Sequence, residues 1–172
     1  MKKLIFSTLL TAMSVFTLNA QEGLLGGGHF GAPIGNASDF FNFNYGANVS
    51  YLYPVMDGIH VGGKVGLDFY SGKNVPNTMY KMNGMSLLSL SASGQYDFTD
   101  QFYAGGDLGF ALSLNNNYKG GFYIEPKGGW QNDWIQVYVF YKNISAKSKR
   151  RTLNDVKLSS ISTFGVGANY KF

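Results

Sequence analysis

From Ile59 to Tyr70 apolar and polar residues change places at every step. Ile59, Val61, Val65, Leu67 and Phe69 share one set of positions with Gly63. His60, Lys64, Asp68 and Tyr70 share the other with Gly62 and Gly66. A strand turns successive side chains to opposite faces, so this stretch predicts a strand with one apolar and one polar face. At about twelve residues it is long for a soluble sheet and suits a strand crossing a bilayer at a tilt.

The same alternation recurs along the chain. In "FNFNYGANVSYLY", Phe41, Phe43, Tyr45, Ala47, Val49 and Tyr51 oppose Asn42, Asn44, Gly46, Asn48 and Ser50. In "SLLSLSASGQY", Leu88, Leu90, Ala92 and Tyr96 oppose Ser89, Ser91, Ser93 and Gln95. "FYAGGDLGFAL" sets Phe102, Ala104, Leu108, Phe110 and Leu112 against Tyr103, Gly105, Asp107 and Gly109. "FYIEPKGGW" sets Phe122, Ile124 and Trp130 against Tyr123, Glu125 and Lys127. "WIQVYVFYK" sets Ile135, Val137, Val139 and Tyr141 against Gln136, Tyr138, Phe140 and Lys142. The last stretch alternates Phe164, Val166, Ala168, Tyr170 and Phe172 with Gly165, Gly167, Asn169 and Lys171. A glycine-rich first segment, "GLLGGGHFG", completes eight strands, with its phase left open by the pattern.

Short connections (54–58, 97–101 and 131–133) carry turn-forming Pro, Asp, Asn and Gly, and they alternate with longer ones (32–39, 71–84, 113–120 and 144–157). An even strand count with short turns at one end and long loops at the other predicts an all-β fold: an eight-stranded antiparallel up-and-down transmembrane β-barrel. Within a bilayer every backbone N–H and C=O must be paired inside the protein, which a sheet achieves only by closing. The final strand must then pair with the first, which accounts for an alternation that runs to Phe172. Two features strain the pattern. Pro126 removes a ladder donor from a strand interior, which predicts a bulge or local break. Tyr138 and Phe140 fall on the inward face, which predicts a bulge or wider packing there.

Composition sharpens this. Lys2 and Lys3, a mostly apolar Leu4–Val15 and "LNA" before Gln21 predict a cleavable secretory signal peptide over 1–20, leaving a barrel domain over 21–172. The chain has no Cys, which rules out a disulfide framework and a lipid-anchored cysteine. Two of the lysines behind the net charge of +4 lie in the leader, so the mature chain is too mildly basic to point to nucleic acid. Aromatic residues at 16% and 23 glycines, with only 14% charged residues, suit alternating lipid-facing strands.

With its leader, its eight alternating strands, the motifs "GGKVGLDF", "GGDLGFAL" and "GVGANYKF" and its aromatic ending, the chain resembles the small outer-membrane β-barrel proteins of the OmpX and OmpA-transmembrane-domain type, a porin-like barrel family. The "AQ" after the leader is similar to exported proteins of Bacteroidetes. The resemblance spans the mature chain. It implies a Gram-negative outer-membrane location, and it implies that Phe164, Val166, Ala168, Tyr170 and Phe172 form the signal read by the barrel-assembly machinery. Read from the residues alone, Phe172 is a lipid-facing anchor; the two roles are compatible.

On the inward face the pattern collects Lys64, Asp68, Asp107, Glu125, Lys127 and Lys142, with His60, Gln95, Asn44, Asn48 and Gln136. An eight-stranded barrel is just wide enough for side chains to fill, so these charges must pair into a plug; a narrow gated path for water or ions is the functional alternative. A symmetric 113–120 loop would set Asp107 opposite Lys127. Lipid-modifying barrel enzymes use His with Ser or an acid near the outer rim. His29, with Ser38 and Asp39, is the candidate for such a site, whereas His60 falls near the short-turn rim. The expectation is a non-enzymatic protein without cofactor or metal. Lys147, Lys149, Arg150, Arg151 and Lys157 form a basic patch in the last long loop, suited to lipopolysaccharide phosphates or an acidic protein partner. Trp130 and Trp134 are expected at the membrane interface on the short-turn side. The N-glycosylation matches at Asn36, Asn48 and Asn143 are read as chance.

Overall fold

The computed structural model describes residues 23–73, 84–114, 118–145, 147–148 and 160–172. The expected leader lies outside them, as do Lys149, Arg150, Arg151 and Lys157 of the basic loop. The chain runs β1 (Leu24–Ile34), β2 (Phe41–Met56), β3 (Ile59–Gly72), β4 (Met85–Asp97), β5 (Phe102–Ser113), β6 (Tyr118–Lys119), β7 (Gly121–Gln131), β8 (Ile135–Ile144), β9 (Lys147–Ser148) and β10 (Ile161–Lys171). All but β6 and β9 form one closed eight-stranded barrel in the order β1-β10-β8-β7-β5-β4-β3-β2. Every neighbouring pair is antiparallel.

First and last strands close the barrel as expected, in unbroken register from Leu25↔Lys171 to Ile34↔Ser162. Beyond β10, the Phe172 N–H donates to the Leu24 carbonyl at 3.0 Å. The described ends therefore sit together at the short-turn end. There β2 and β3 join through Asp57 and Gly58, where Gly58 takes a φ of 72° that favours glycine. Two connections at the opposite end meet, because β6 pairs with β9 (Tyr118↔Ser148, Lys119↔Lys147). The sequence pattern gave no sign of this short ladder.

The period-2 reading places the faces correctly over most strands. In β3, Lys64 and Asp68 are buried and Val61, Val65 and Leu67 are exposed. In β1, whose phase was open, His29 points inward, its side chain 3% exposed, while Phe30 and Ile34 point out. At the start of β2 the expected phase is reversed: Phe41 is buried and Asn42 exposed. A register shift between Phe41 and Asn44 against β3 explains it, since a bulge turns the preceding residues to the other face.

Pro126 produces the local break. The β7–β8 ladder stops at Ile124↔Asn143 and resumes at Lys127↔Phe140 with its register unchanged, while the β5 side stays paired through Gly106↔Pro126. Tyr138 and Phe140 do face inward, with no bulge in β8; its ladder with β10 is continuous. Space comes from glycine instead. A Cβ on Gly167 would strike the Tyr138 ring, and one on Gly165 would lie 2.7 Å from Phe140 Cζ.

The outer wall is apolar from end to end. Near the short-turn end it carries Tyr53, Tyr96, Phe98, Phe102, Trp130, Trp134, Tyr170 and Phe172, all well exposed. Near the long-loop end it carries Phe30, Phe43, Tyr45, Phe110, Phe122, Tyr141 and Phe164. Aliphatic residues such as Val65, Leu90, Leu108, Val139 and Val166 are exposed between these two aromatic zones. Among the described residues, no helix is long and apolar enough to cross a membrane, which does not bear on a β-barrel.

Candidate functional site

The interior stacks three kinds of side chain along the barrel axis. At the long-loop end, Phe41, Tyr70, Met85, Leu87, Tyr123, Ile144 and Ile161 pack into an apolar cluster. Tyr70 Oη lies 3.1 Å from Thr163 Oγ1, so its polar tip is satisfied within the cluster. The pattern did not reveal this plug. Its members sit at strand ends, where alternation is short, and Phe41 is delivered by the bulge.

Below it lies a continuous chain of charges. Lys127 Nζ bonds Asp107 Oδ1 at 3.0 Å, and Lys64 Nζ bonds Asp107 Oδ2 at 2.8 Å and Glu125 Oε1 at 2.6 Å. Lys142 Nζ lies 3.0 Å from Glu125 Oε2 and donates to Asp68 Oδ1 at 2.6 Å; that oxygen is also 2.9 Å from His29 Nε2. Three lysines thus alternate with three carboxylates across four strands, and formal charge cancels before His29 is counted. Such balance is what burial demands, since an unpaired interior charge costs several kcal/mol.

All six charged residues expected in the lumen are there. Their partners differ in detail from the simplest reading. Asp107 faces Glu125 across the ladder, and Lys127 faces Gly105, so the Asp107–Lys127 pair forms on the diagonal. Lys64 and Asp68, four apart on β3, reach across the lumen to other strands rather than to each other.

Small and aromatic neighbours complete the network. Ser93 Oγ donates to Asp107 Oδ1 at 2.6 Å, and Tyr123 Oη donates to Ser91 Oγ at 2.9 Å. The inward serines of β4 leave room for the lysine and carboxylate heads. Lys127 Nζ sits 5.9 Å from the Tyr138 ring centre, and Lys142 Nζ 5.5 Å from that of Phe140, within the range of cation–π attraction. The inward aromatics of β8 therefore line the lysines' path.

Gln95, Gln131, Gln136 and Asn169 form an amide cluster at the short-turn end. Gln136 Nε2 donates to Gln95 Oε1 at 3.1 Å and to Gln131 Oε1 at 3.0 Å, and Asn169 Nδ2 donates to Gln136 Oε1 at 3.3 Å. The connection expected over 131–133 includes Gln131, which instead ends β7 and points inside, in step with Glu125, Lys127 and Gly129. Beneath the cluster the barrel opens into a cavity of about 330 Å³, whose lining includes His60. That is the rim expected for His60, and its Nδ1 lies 3.6 Å from Asp97 Oδ2.

Two of the residues named for an enzyme site, His29 and Ser38, bond to other partners. His29 Nε2 is engaged by Asp68 inside the barrel, its ring edge-on to Phe140 at 5.4 Å, while Ser38 Oγ donates to the Gly35 carbonyl. Phe164, Val166, Ala168, Tyr170 and Phe172 all lie on the outer face. The Phe172 ring stacks edge-on against Tyr170 at 5.1 Å and lies over Gly26, where a Cβ would come within 3.0 Å of it. Trp134 packs on Tyr170 at 6.5 Å between centroids, so the interface aromatics and the last strand share one patch. Of the basic patch, only the backbone of Lys147 is described, in β9.

Comparison with protein-family models and with curated protein sequences finds no match. The fold and interior define the class: a closed eight-stranded antiparallel barrel with a buried, ion-paired polar core and an apolar exterior.

Proposed function

We infer that this is an integral outer-membrane β-barrel of the OmpX and OmpA-transmembrane-domain type, exported by a cleaved leader, with a structural or surface-interaction role exercised through its long loops. The observation that carries the reading is the inversion of the usual globular arrangement. Charge is inside and ion-paired; large apolar side chains are outside, ringed by aromatic residues at both ends. Water would penalise such a surface, whereas a bilayer rewards it. Closure satisfies the backbone, which is the condition for crossing lipid. In this orientation the long loops face outward, the basic patch meets lipopolysaccharide or an acidic envelope or extracellular protein, and the final strand serves the assembly machinery.

The interior favours a plug over a porin-like channel. Charges occupy the middle of the barrel, and the apolar cluster closes its long-loop end. His29 held by Asp68 likewise supports a non-enzymatic role over lipid modification.

A photo-reactive residue in place of Lys149, in intact cells, tests the role. The expected result is a discrete adduct, protein or lipopolysaccharide, absent when the same group replaces Asp57 in a short turn. Identical adducts from both positions, or none from Lys149, would remove the surface-interaction role.

A further inference from the structure

The short-turn mouth carries features that the lipid-facing wall and the ion-paired core do not use. Its cavity of about 330 Å³ lies at the small end of ligand pockets, room for one or two residues of a peptide rather than for a folded partner. The floor includes Gln131, which is only 4% exposed. Its Oε1 accepts from Gln95 Nε2 at 3.3 Å and from Gln136 Nε2 at 3.0 Å, which fixes the amide's orientation. The Nε2 group of Gln131 is thereby left without an acceptor among the described residues, beside the cavity. A donor facing the cavity is open to water or to a ligand oxygen.

Acids outnumber cations around this mouth. Asp97 and Asp133 line it, and Asp57 and Asp100 stand in the neighbouring turns. The cations nearby are Lys171, which is attracted to Asp97 and Asp133 without an ion-pair contact among the described residues, and His60, 3.6 Å from Asp97, whose Oδ1 also accepts from Gln95 Nε2 at 2.7 Å. Leu25, Leu52 and Phe172 supply an apolar wall beside the acids. An apolar wall leading to carboxylates suits a long aliphatic stem that ends in a positive charge.

We propose that the short-turn mouth binds the lysine or arginine side chain of a peptide segment. The cationic head lies between Asp97 and Asp133, the stem lies along Leu25 and Leu52, and the segment's backbone carbonyl accepts from Gln131 Nε2. Acidic turns around the mouth favour approach of a basic segment over an acidic one. The site does not depend on what the outer wall contacts.

The test uses the mature chain in detergent micelles, with glutamine side chains labelled with ¹⁵N. N-acetyl-lysine-N-methylamide, the arginine analogue, and the norleucine and glutamate counterparts are titrated in turn. The Gln131 side-chain signal, assigned through Gln131→Asn, and Trp134 fluorescence are followed. The lysine and arginine probes should move the Gln131 signal saturably, and the other two should not. Asp133→Asn, on an exposed turn that leaves the fold alone, should weaken binding roughly fivefold; adding Asp97→Asn should bring the loss to about tenfold. Lys171→Gln, which removes the competing cation, should tighten binding. Equal binding of norleucine, preference for glutamate, or no saturable shift at millimolar probe would each overturn the proposal.

Discussion

Gly165 and Gly167 show how much of this barrel is decided by what a residue lacks. Their missing side chains make the space in which Phe140 and Tyr138 cover the buried lysines. Gly167→Val should therefore destabilise the barrel by about 1–3 kcal/mol through overpacking, and Tyr138→Ala in the same chain should recover part of that loss. A denaturant series on the four members of the cycle measures it; additive effects would mean that the contact is unimportant. Lys64 sits where two carboxylates converge, so Lys64→Met leaves the interior one negative charge in excess and should cost about 3 kcal/mol. An unchanged unfolding midpoint would show that the network is dispensable. The identities of the buried charges were legible because period 2 separates faces. Their pairing was not, because Lys64, Glu125 and Lys142 meet across the lumen, and strand pattern carries no information about the far wall.

Strands were legible as elements, since all eight run for ten residues or more and all but the glycine-rich β1 show a readable alternation. Irregularities were legible only where chemistry announces them. Pro126 announces itself by its missing N–H, and the ladder does break beside it. The bulge after Phe41 does not, because Phe, Asn, Phe, Asn alternates smoothly while the backbone shifts register. Pro33 is tolerated for a related reason: past Gly31, β1 pairs with β10 but no longer with β2, which leaves one side free of a ladder. Pro126→Ala should restore a donor facing β8 and raise stability by about 0.5–1 kcal/mol, the net worth of one hydrogen bond. Hydrogen exchange should then show a slowly exchanging amide at position 126. Fast exchange there would mean that the β7–β8 gap has another cause.

At the scale of the whole molecule the charges sort by height. The core is neutral, the short-turn mouth is acidic around Asp57, Asp97, Asp100 and Asp133, and the last long loop is basic in sequence from Lys147 to Lys157. Fold class followed from strand number and loop alternation, whereas the environment of the outer wall follows from energetics. Leu108 is 50% exposed on that wall. In water Leu108→Arg would be nearly neutral, but in a bilayer it should cost about 2–4 kcal/mol near the midplane. The most direct measurement labels the wall itself. The chain has no cysteine, so Leu108→Cys gives a single attachment point for a nitroxide. In reconstituted vesicles, the account predicts that molecular oxygen relaxes this label far more than a water-soluble nickel chelate does. The opposite order, with the chelate dominant, would place Leu108 in water and contradict the membrane barrel.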